Sequence, residues 1–242
     1  MGSADVSFER TREALHRVAA HVLGRRRWDA TGHFGLRVSP GGIATPAFGD
    51  DTEWVRLAGT LLVRDSAGVA TFTSIQGSSL RALARFAGAD VESPFSCGDD
   101  TPAVGDPDQP LGVTEEHVLA IFQWYDLGWR VLDAVLGALP PSGAAVPLQL
   151  WPEHFDVGTN VGFAGDERVN LGCSPGDRYE SEPYFYVGPW STERPGDPNY
   201  WNASFGAALR ASDLSGATNP FDSGVEFMRR GLDALSTAAP RQ

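Results

Sequence analysis

The sequence predicts an α+β fold, with antiparallel sheets packed against helices and two similar helix–strands–helix halves. Three observations lead there. Apolar residues recur at helical spacing near both ends and across the middle of the chain. Between those stretches the apolar period shortens to two, and Gly, Pro and Asp clusters close each run. The resulting order is helix, strands, helix, connector, helix, strands, helix. With 242 residues, 42% of them hydrophobic, the chain can bury roughly 70–75% of the surface its unfolded form exposes. One globular unit is expected over 1–242, comprising a first half at 1–88, a connector at 89–112 and a second half at 113–242.

Residues 7–24 read as a helix. Phe8, Leu15, Val18, Ala19 and Val22 form a stripe and Gly24 supplies a stop. Arg25, Arg26 and Arg27 follow, as a solvated helix end or an anion site. His33–Ser39 and Ile43–Phe48 flank the turn Pro40-Gly41-Gly42. Trp54–Arg64 alternates as one strand, Asp65-Ser66-Ala67-Gly68 turns, and Val69–Thr73 returns. Ser78–Ala87 is a short helix carrying Leu80, Leu83, Ala84 and Phe86. The Pro, Gly and Asp content of 89–112 makes that connector a flap or a linker.

Thr114 caps the next helix, with Glu115 and Glu116 in its first turn. It should run to Leu139, be the longest and most buried helix, and stop at Pro140-Pro141. Strands are expected at Ala145–Trp151, His154–Phe163, Val169–Ser174 and Tyr184–Val187. A loose segment from Gly188 to Asn219 carries Trp190, Trp201 and Phe205, and 222–237 closes the chain as a helix.

Composition excludes several functions. Lys plus Arg is 19 against 31 for Asp plus Glu, a formal charge of −12. That balance argues against nucleic acid or an anionic membrane surface as partner. Every basic residue is Arg, so no lysine Schiff base or P-loop lysine can form. Cys97 and Cys173 alone support neither a disulfide scaffold nor a four-cysteine zinc site. The richness in Arg, Ala and Gly without Lys suggests a bacterial source. No secretory signal is read in Met1–Arg12, and the longest apolar run, Ala134–Leu139, is too short to span a bilayer. A cytoplasmic protein is the expectation.

The chemistry concentrates in 150–190. If Phe155, Val157, Val161 and Phe163 share a face with Val169, Leu171 and Cys173, paired residue numbers must have equal parity, so the hairpin loop has odd length. A three-residue loop, Gly165–Glu167, then pairs Gly162 with Asn170, Asn160 with Gly172 and Gly158 with Ser174. The opposite face carries His154, Asp156, Asn160, Asn170 and Ser174, with Gly158, Gly162 and Gly172 between them. Tyr184 and Tyr186 on the next strand face the same side. The expected result is a trough floored by glycine, where a ligand can approach closely. In it Asp156 and His154 are the acid–base candidates, and Asn160, Asn170, Ser174, Tyr184 and Tyr186 are the ligand-binding ones. The same pattern also describes the wet face of an ordinary antiparallel sheet. His154 and Asp156 have no further ligands at suitable spacing, so no metal site is assigned. The residues name no cofactor.

Several pieces resemble a bacterial family catalogued only as a domain of unknown function. They are Thr11-Arg12-x-x-Leu15-His16, Leu36-Arg37-Val38-Ser39-Pro40-Gly41-Gly42-Ile43-Ala44-Thr45, Phe155-Asp156, Glu182-Pro183-Tyr184-Phe185-Tyr186 and Tyr200-Trp201-Asn202-x-x-Phe205-Gly206. The likeness spans most of the chain in the same order. In that family the strand near Trp151 reads closer to Trp-Gly-Ser-Phe-Asp; Trp151, Phe155 and Asp156 match, whereas His154 does not. The resemblance implies one intact globular unit and no established activity.

Two functions follow as expectations. One is a small polar-molecule binder or enzyme using the trough. The other is a non-catalytic interaction protein using exposed Trp190, Tyr200 and Trp201 of the 188–219 segment, although the same aromatics also read as a buried cluster covering the core. A concave, open trough would favour the first, and a flat face the second.

Overall fold

Helical winding begins at Ser3 and continues to Thr31, beyond the expected stop at Gly24. In the computed structural model, which describes residues 3–50, 52–139, 146–162 and 167–238, this rod has three parts. Helix α1 (Ser3–Val18) passes into a π-helical segment, Ala19–Gly24, and then into α2 (Arg25–Thr31). Gly24 stays right-handed because its role is contact. A Cβ there would lie 3.1 Å from the Ala19 carbonyl oxygen and 3.4 Å from the Pro152 ring. The actual stop is Gly32, left-handed at φ 72°, whose N–H returns to the Trp28 carbonyl. The three arginines are tied locally. Arg25 pairs with Asp29 and Arg26 with Glu53, while Arg27 donates to the Gly35 carbonyl.

The described chain forms an α+β fold of two five-stranded antiparallel sheets and helices. It divides into two compact units. Unit 1 is Met1–Asp126 with Leu150–Phe155, and unit 2 is Leu127–Gln149 with Asp156–Gln242.

In unit 1 the strands β1 (Arg37–Ser39), β2 (Gly42–Ala44), β3 (Glu53–Ala58), β4 (Leu61–Ser66) and β5 (Val69–Ser74) form a meander in chain order. The expected single strand Trp54–Arg64 is in fact two. Gly59, at φ 53°, turns the chain so that Ala58 pairs with Leu61. Alternation continues through such a tight turn, which is why the residues alone read as unbroken. Helix α3 (Leu80–Ala87) is capped by Ser79, whose Oγ accepts from the Ala82 N–H, and ends at left-handed Gly88. The 89–112 connector belongs wholly to unit 1. The Leu111 N–H reaches the Ser78 carbonyl at 2.8 Å and the Arg81 N–H the Pro107 carbonyl at 2.9 Å, which straps the connector across α3.

Helix α4 (Glu115–Gly137), at 23 residues, is the longest α-helical segment among the described residues. Val118, Ile121, Phe122, Tyr125, Val131, Leu132 and Val135 are buried, while Leu136 is only half-buried. Pro140-Pro141 lie outside the described residues. The division into units falls inside this helix, between Asp126 and Leu127.

The second sheet has the order β10-β9-β8-β7-β6: β6 (Gln149–Trp151), β7 (Asp156–Gly162), β8 (Arg168–Ser174), β9 (Tyr184–Pro189) and β10 (Ala207–Arg210). Helix α5 (Pro220–Ala238) packs on β9 and β10 in unit 2. The β7–β8 register differs from expectation by two residues. Gly162 pairs with Arg168, Asn160 with Asn170, and Gly158 with Gly172. The hairpin loop therefore has five residues, 163–167; Phe163, Gly165 and Asp166 lie outside the described residues. A shift of two preserves parity, so Val157, Val161, Val169, Leu171 and Cys173 are all buried while Asn170 stays exposed.

Candidate functional site

The outer face of the second sheet within unit 2 carries most of the expected site residues. Gly158, Gly172 and Tyr186 stand in one row across β7, β8 and β9. The Tyr186 ring lies down along that row. A Cβ on Gly172 would sit 2.2 Å from the Tyr186 Cζ, and one on Gly158 would be 3.0 Å from its hydroxyl. The glycine floor is thus occupied by the protein's own phenol ring, which corrects the expectation of an open trough. Glycine within a strand does mark a close approach, but the approaching group here comes from a neighbouring strand.

The ring's reach decides the fate of Asp156. Tyr186 Oη donates to Asp156 Oδ2 at 2.5 Å, and the carboxylate is buried. Burial, then the adjacent Asp156 charge, raises the Tyr186 phenol well above its ordinary range. It therefore remains a protonated donor at neutral pH and holds Asp156 as an acceptor. Tyr184 repeats the arrangement, with Oη donating to Asp177 Oδ2 at 2.5 Å. Burial and Asp177 push that phenol up as well. Ser174 is buried, and its Oγ accepts the Gly176 N–H in the turn that positions Asp177.

Asn160 and Asn170 lie opposite one another and bond to each other, Nδ2 to Oδ1 at 2.7 Å. Arg168 donates to Asn160 Oδ1 at 2.7 Å, and Trp190 Nε1 to Asn170 Oδ1 at 3.1 Å. This ladder stands about 13 Å along the strand from Asp156, at ~3.3 Å per residue. The two amides and the Asp–Tyr pair do not converge on one point.

His154 does not join them. It lies in the turn Trp151–Phe155, in unit 1, and faces Asp100 with Nδ1 3.2 Å from Oδ2, both side chains exposed. The physical reason is Phe155, left-handed at φ 54°, whose N–H returns to the Trp151 carbonyl at 2.7 Å. Strand alternation cannot be extended back through such a residue. The turn is pinned by His16, whose Nε2 meets the Pro152 and Glu153 carbonyls at 3.0 and 3.1 Å and whose ring stacks on Phe155. Tyr125 Oη donates to the Phe155 carbonyl at 2.6 Å. Carbonyl partners require the proton on Nε2, and burial lowers the His16 pKa to about 4. Cys97 sits against Thr101, and burial before any charge raises its thiol. Among the described residues no group of three or more His, Cys, Asp or Glu could hold a metal ion.

Tyr179, which no sequence pattern marks, and Phe205, expected only on the loose 188–219 segment, complete an aromatic platform. Ring centroids are 5.7 Å apart for Tyr179–Tyr184, 4.9 Å for Tyr179–Phe205, 6.2 Å for Tyr184–Tyr186 and 6.3 Å for Tyr186–Phe205. Both sit in loops, where no periodicity assigns a face. Arg210 and Glu180 form an ion pair in the same unit at 2.5 Å. The expected exposed aromatics of 188–219 are corrected in turn. Tyr200 is buried, its Oη donating to the Phe227 carbonyl, and Trp201 is half-buried, with Nε1 on the Pro195 carbonyl. Trp190 is open to solvent.

No known protein family, curated protein or solved structure matches the chain. No helix among the described residues is long and apolar enough to cross a membrane.

Proposed function

We infer that this chain is a non-catalytic interaction protein that presents the aromatic face of its second sheet to a partner protein. The observation that carries this reading is the platform itself: Tyr179, Tyr184, Tyr186 and Phe205 packed edge against face, with two phenol hydroxyls fixed on the carboxylates of buried Asp156 and exposed Asp177. Rigid aromatic groups with few rotatable bonds are the usual anchors of protein interfaces. Tyr179 and Trp190 are exposed and Phe205 half-exposed, so the face has both apolar bodies and polar tips to offer. The charge of −12 favours a partner with a basic surface.

A small polar ligand is the second reading, supported by one observation, the pairing of half-buried Tyr186 with buried Asp156. Against it, the carboxylate is engaged, the glycine row is filled and the amides bond each other. The test is a photo-cross-linking residue at position 179 in the native host. A single adduct, lost when Phe205→Ala is added to a chain whose melting is unchanged, is the expected result. No adduct, or one indifferent to Phe205, overturns the reading. A metabolite-induced thermal shift that requires Asp156 would establish the second reading instead.

A further inference from the structure

We propose that β5 is the pairing edge of a homodimer, in which two copies of this chain join their first sheets about a two-fold axis through Phe72. This surface lies in unit 1, and the proposal is independent of the sheet-two platform.

Strand β5 ends its sheet, with β4 on one side and, among the described residues, no strand on the other. Its sequence, Val69-Ala70-Thr71-Phe72-Thr73-Ser74, contains no charge and no proline. Natural edge strands are ordinarily guarded by charges, prolines or bulges, and β5 has none of these, its register with β4 being unbroken over six pairs. The strand is also exposed on both faces. Phe72 is 70% and Val69 68% accessible, and Leu61 of β4 adds a further exposed apolar side chain on the Phe72 side.

The hydrogen-bonding phase fixes which groups are free. The β4–β5 hairpin turns at Ala67 and Gly68, both with positive φ, and the Ile75 N–H meets the Thr60 carbonyl at 2.9 Å. Thr60 and Ile75 are thus a directly bonded pair, and by alternation so are Leu62–Thr73, Arg64–Thr71 and Ser66–Val69. The backbone groups of Ala70, Phe72 and Ser74 consequently point away from the sheet. The Ser74 carbonyl accepts from the Ser78 hydroxyl at 2.7 Å and keeps a second lone pair. The outward N–H and C=O of Ala70 and Phe72 have no partner among the described residues.

These three residues are symmetric about Phe72. An antiparallel second copy therefore meets them in a single closed register, with Phe72 opposite Phe72 and Ala70 opposite Ser74. A partner related by two-fold symmetry is self-complementary by construction. The register also places two exposed phenylalanines side by side and sets Thr71 opposite Thr73, both favourable cross-strand pairs. Net charge opposes the pairing, since two copies at −12 repel one another, but β5 itself adds no charge to that repulsion. Six-residue strands with one aromatic pair fall at or below the ~1,200 Å² low end of stable interfaces, so the dimer is weak and concentration-dependent.

Sedimentation equilibrium of the full chain from about 5 μM to about 0.5 mM tests this. The wild type should pass from monomer to dimer across that range. Ala70→Pro removes an outward N–H without touching the β4 ladder, and Phe72→Glu places charge on the axis. Each should leave a monomer with wild-type melting behaviour, whereas Tyr179→Ala should dimerise as the wild type does. A wild type that stays monomeric throughout, or a dimer that survives both β5 substitutions, overturns the proposal. So does a dimer abolished by Tyr179→Ala but retained by Phe72→Glu, which would move the contact to the second sheet.

Discussion

Two residues carry chemistry their neighbours in sequence do not announce. Tyr186 donates to the buried Asp156 at 2.5 Å while its ring covers Gly172 and Gly158. Tyr186→Phe keeps the ring and removes the donor, so it should cost about 1.5–3 kcal/mol, as hydrogen bonds to charged groups do. Chemical denaturation measures it, and a loss near zero would mean that Asp156 is served equally well by other groups. His16 makes a pH-dependent contribution. Its pKa falls from 6.5 to about 4 on folding, so the unfolded chain binds a proton in that window and the folded chain does not. Stability from this group is complete above pH 6.5 and is lost as the pH drops toward 4, by on the order of 3 kcal/mol in total. Denaturation at pH 7 and pH 4.5 should show His16→Gln less stable than wild type at the upper pH, with a smaller difference at the lower. A constant gap would place His16 in water.

Among the elements, α4 offers the plainest energetic test. Ile121 is fully buried and Leu136 only half-buried. Ile121→Ala should therefore cost ~2–5 kcal/mol and Leu136→Ala clearly less, because the cost follows the volume left empty in a packed core. Equal losses would contradict the burial of this helix. Element types and order were legible because amphipathic period survives in each stretch: Val157, Val161, Val169 and Leu171 fall on the buried face as their parity demands. Breaks that leave parity intact were not legible. Gly59 ends β3 without disturbing alternation, and a five-residue hairpin loop sorts side chains to the same faces as a three-residue one. The site was legible as a face and illegible as a cavity. Glycines at 158 and 172 announce that something comes close, and only the register with Tyr186 says what it is. His154 was misplaced because one left-handed residue, Phe155, precedes the strand.

At the scale of the whole molecule, the division into units has a genetic consequence. Reading from the N-terminus, the chain builds unit 1, crosses within α4, returns for Leu150–Phe155 and leaves again. The returning stretch is small, but it supplies the carbonyls that His16 and the ring that Tyr125 require. No single breakpoint in the gene can separate the units: a stop after Asp126 deprives unit 1 of that turn, and a start at Leu127 carries the turn away with the wrong partner. Expression of 1–126 alone should accordingly give protein lacking a cooperative thermal transition, while a fragment in which 150–155 is rejoined to 1–126 through a short flexible linker should regain one. A single cut in the gene therefore never yields two intact units; separating them takes a rearrangement that carries 150–155 back to 1–126.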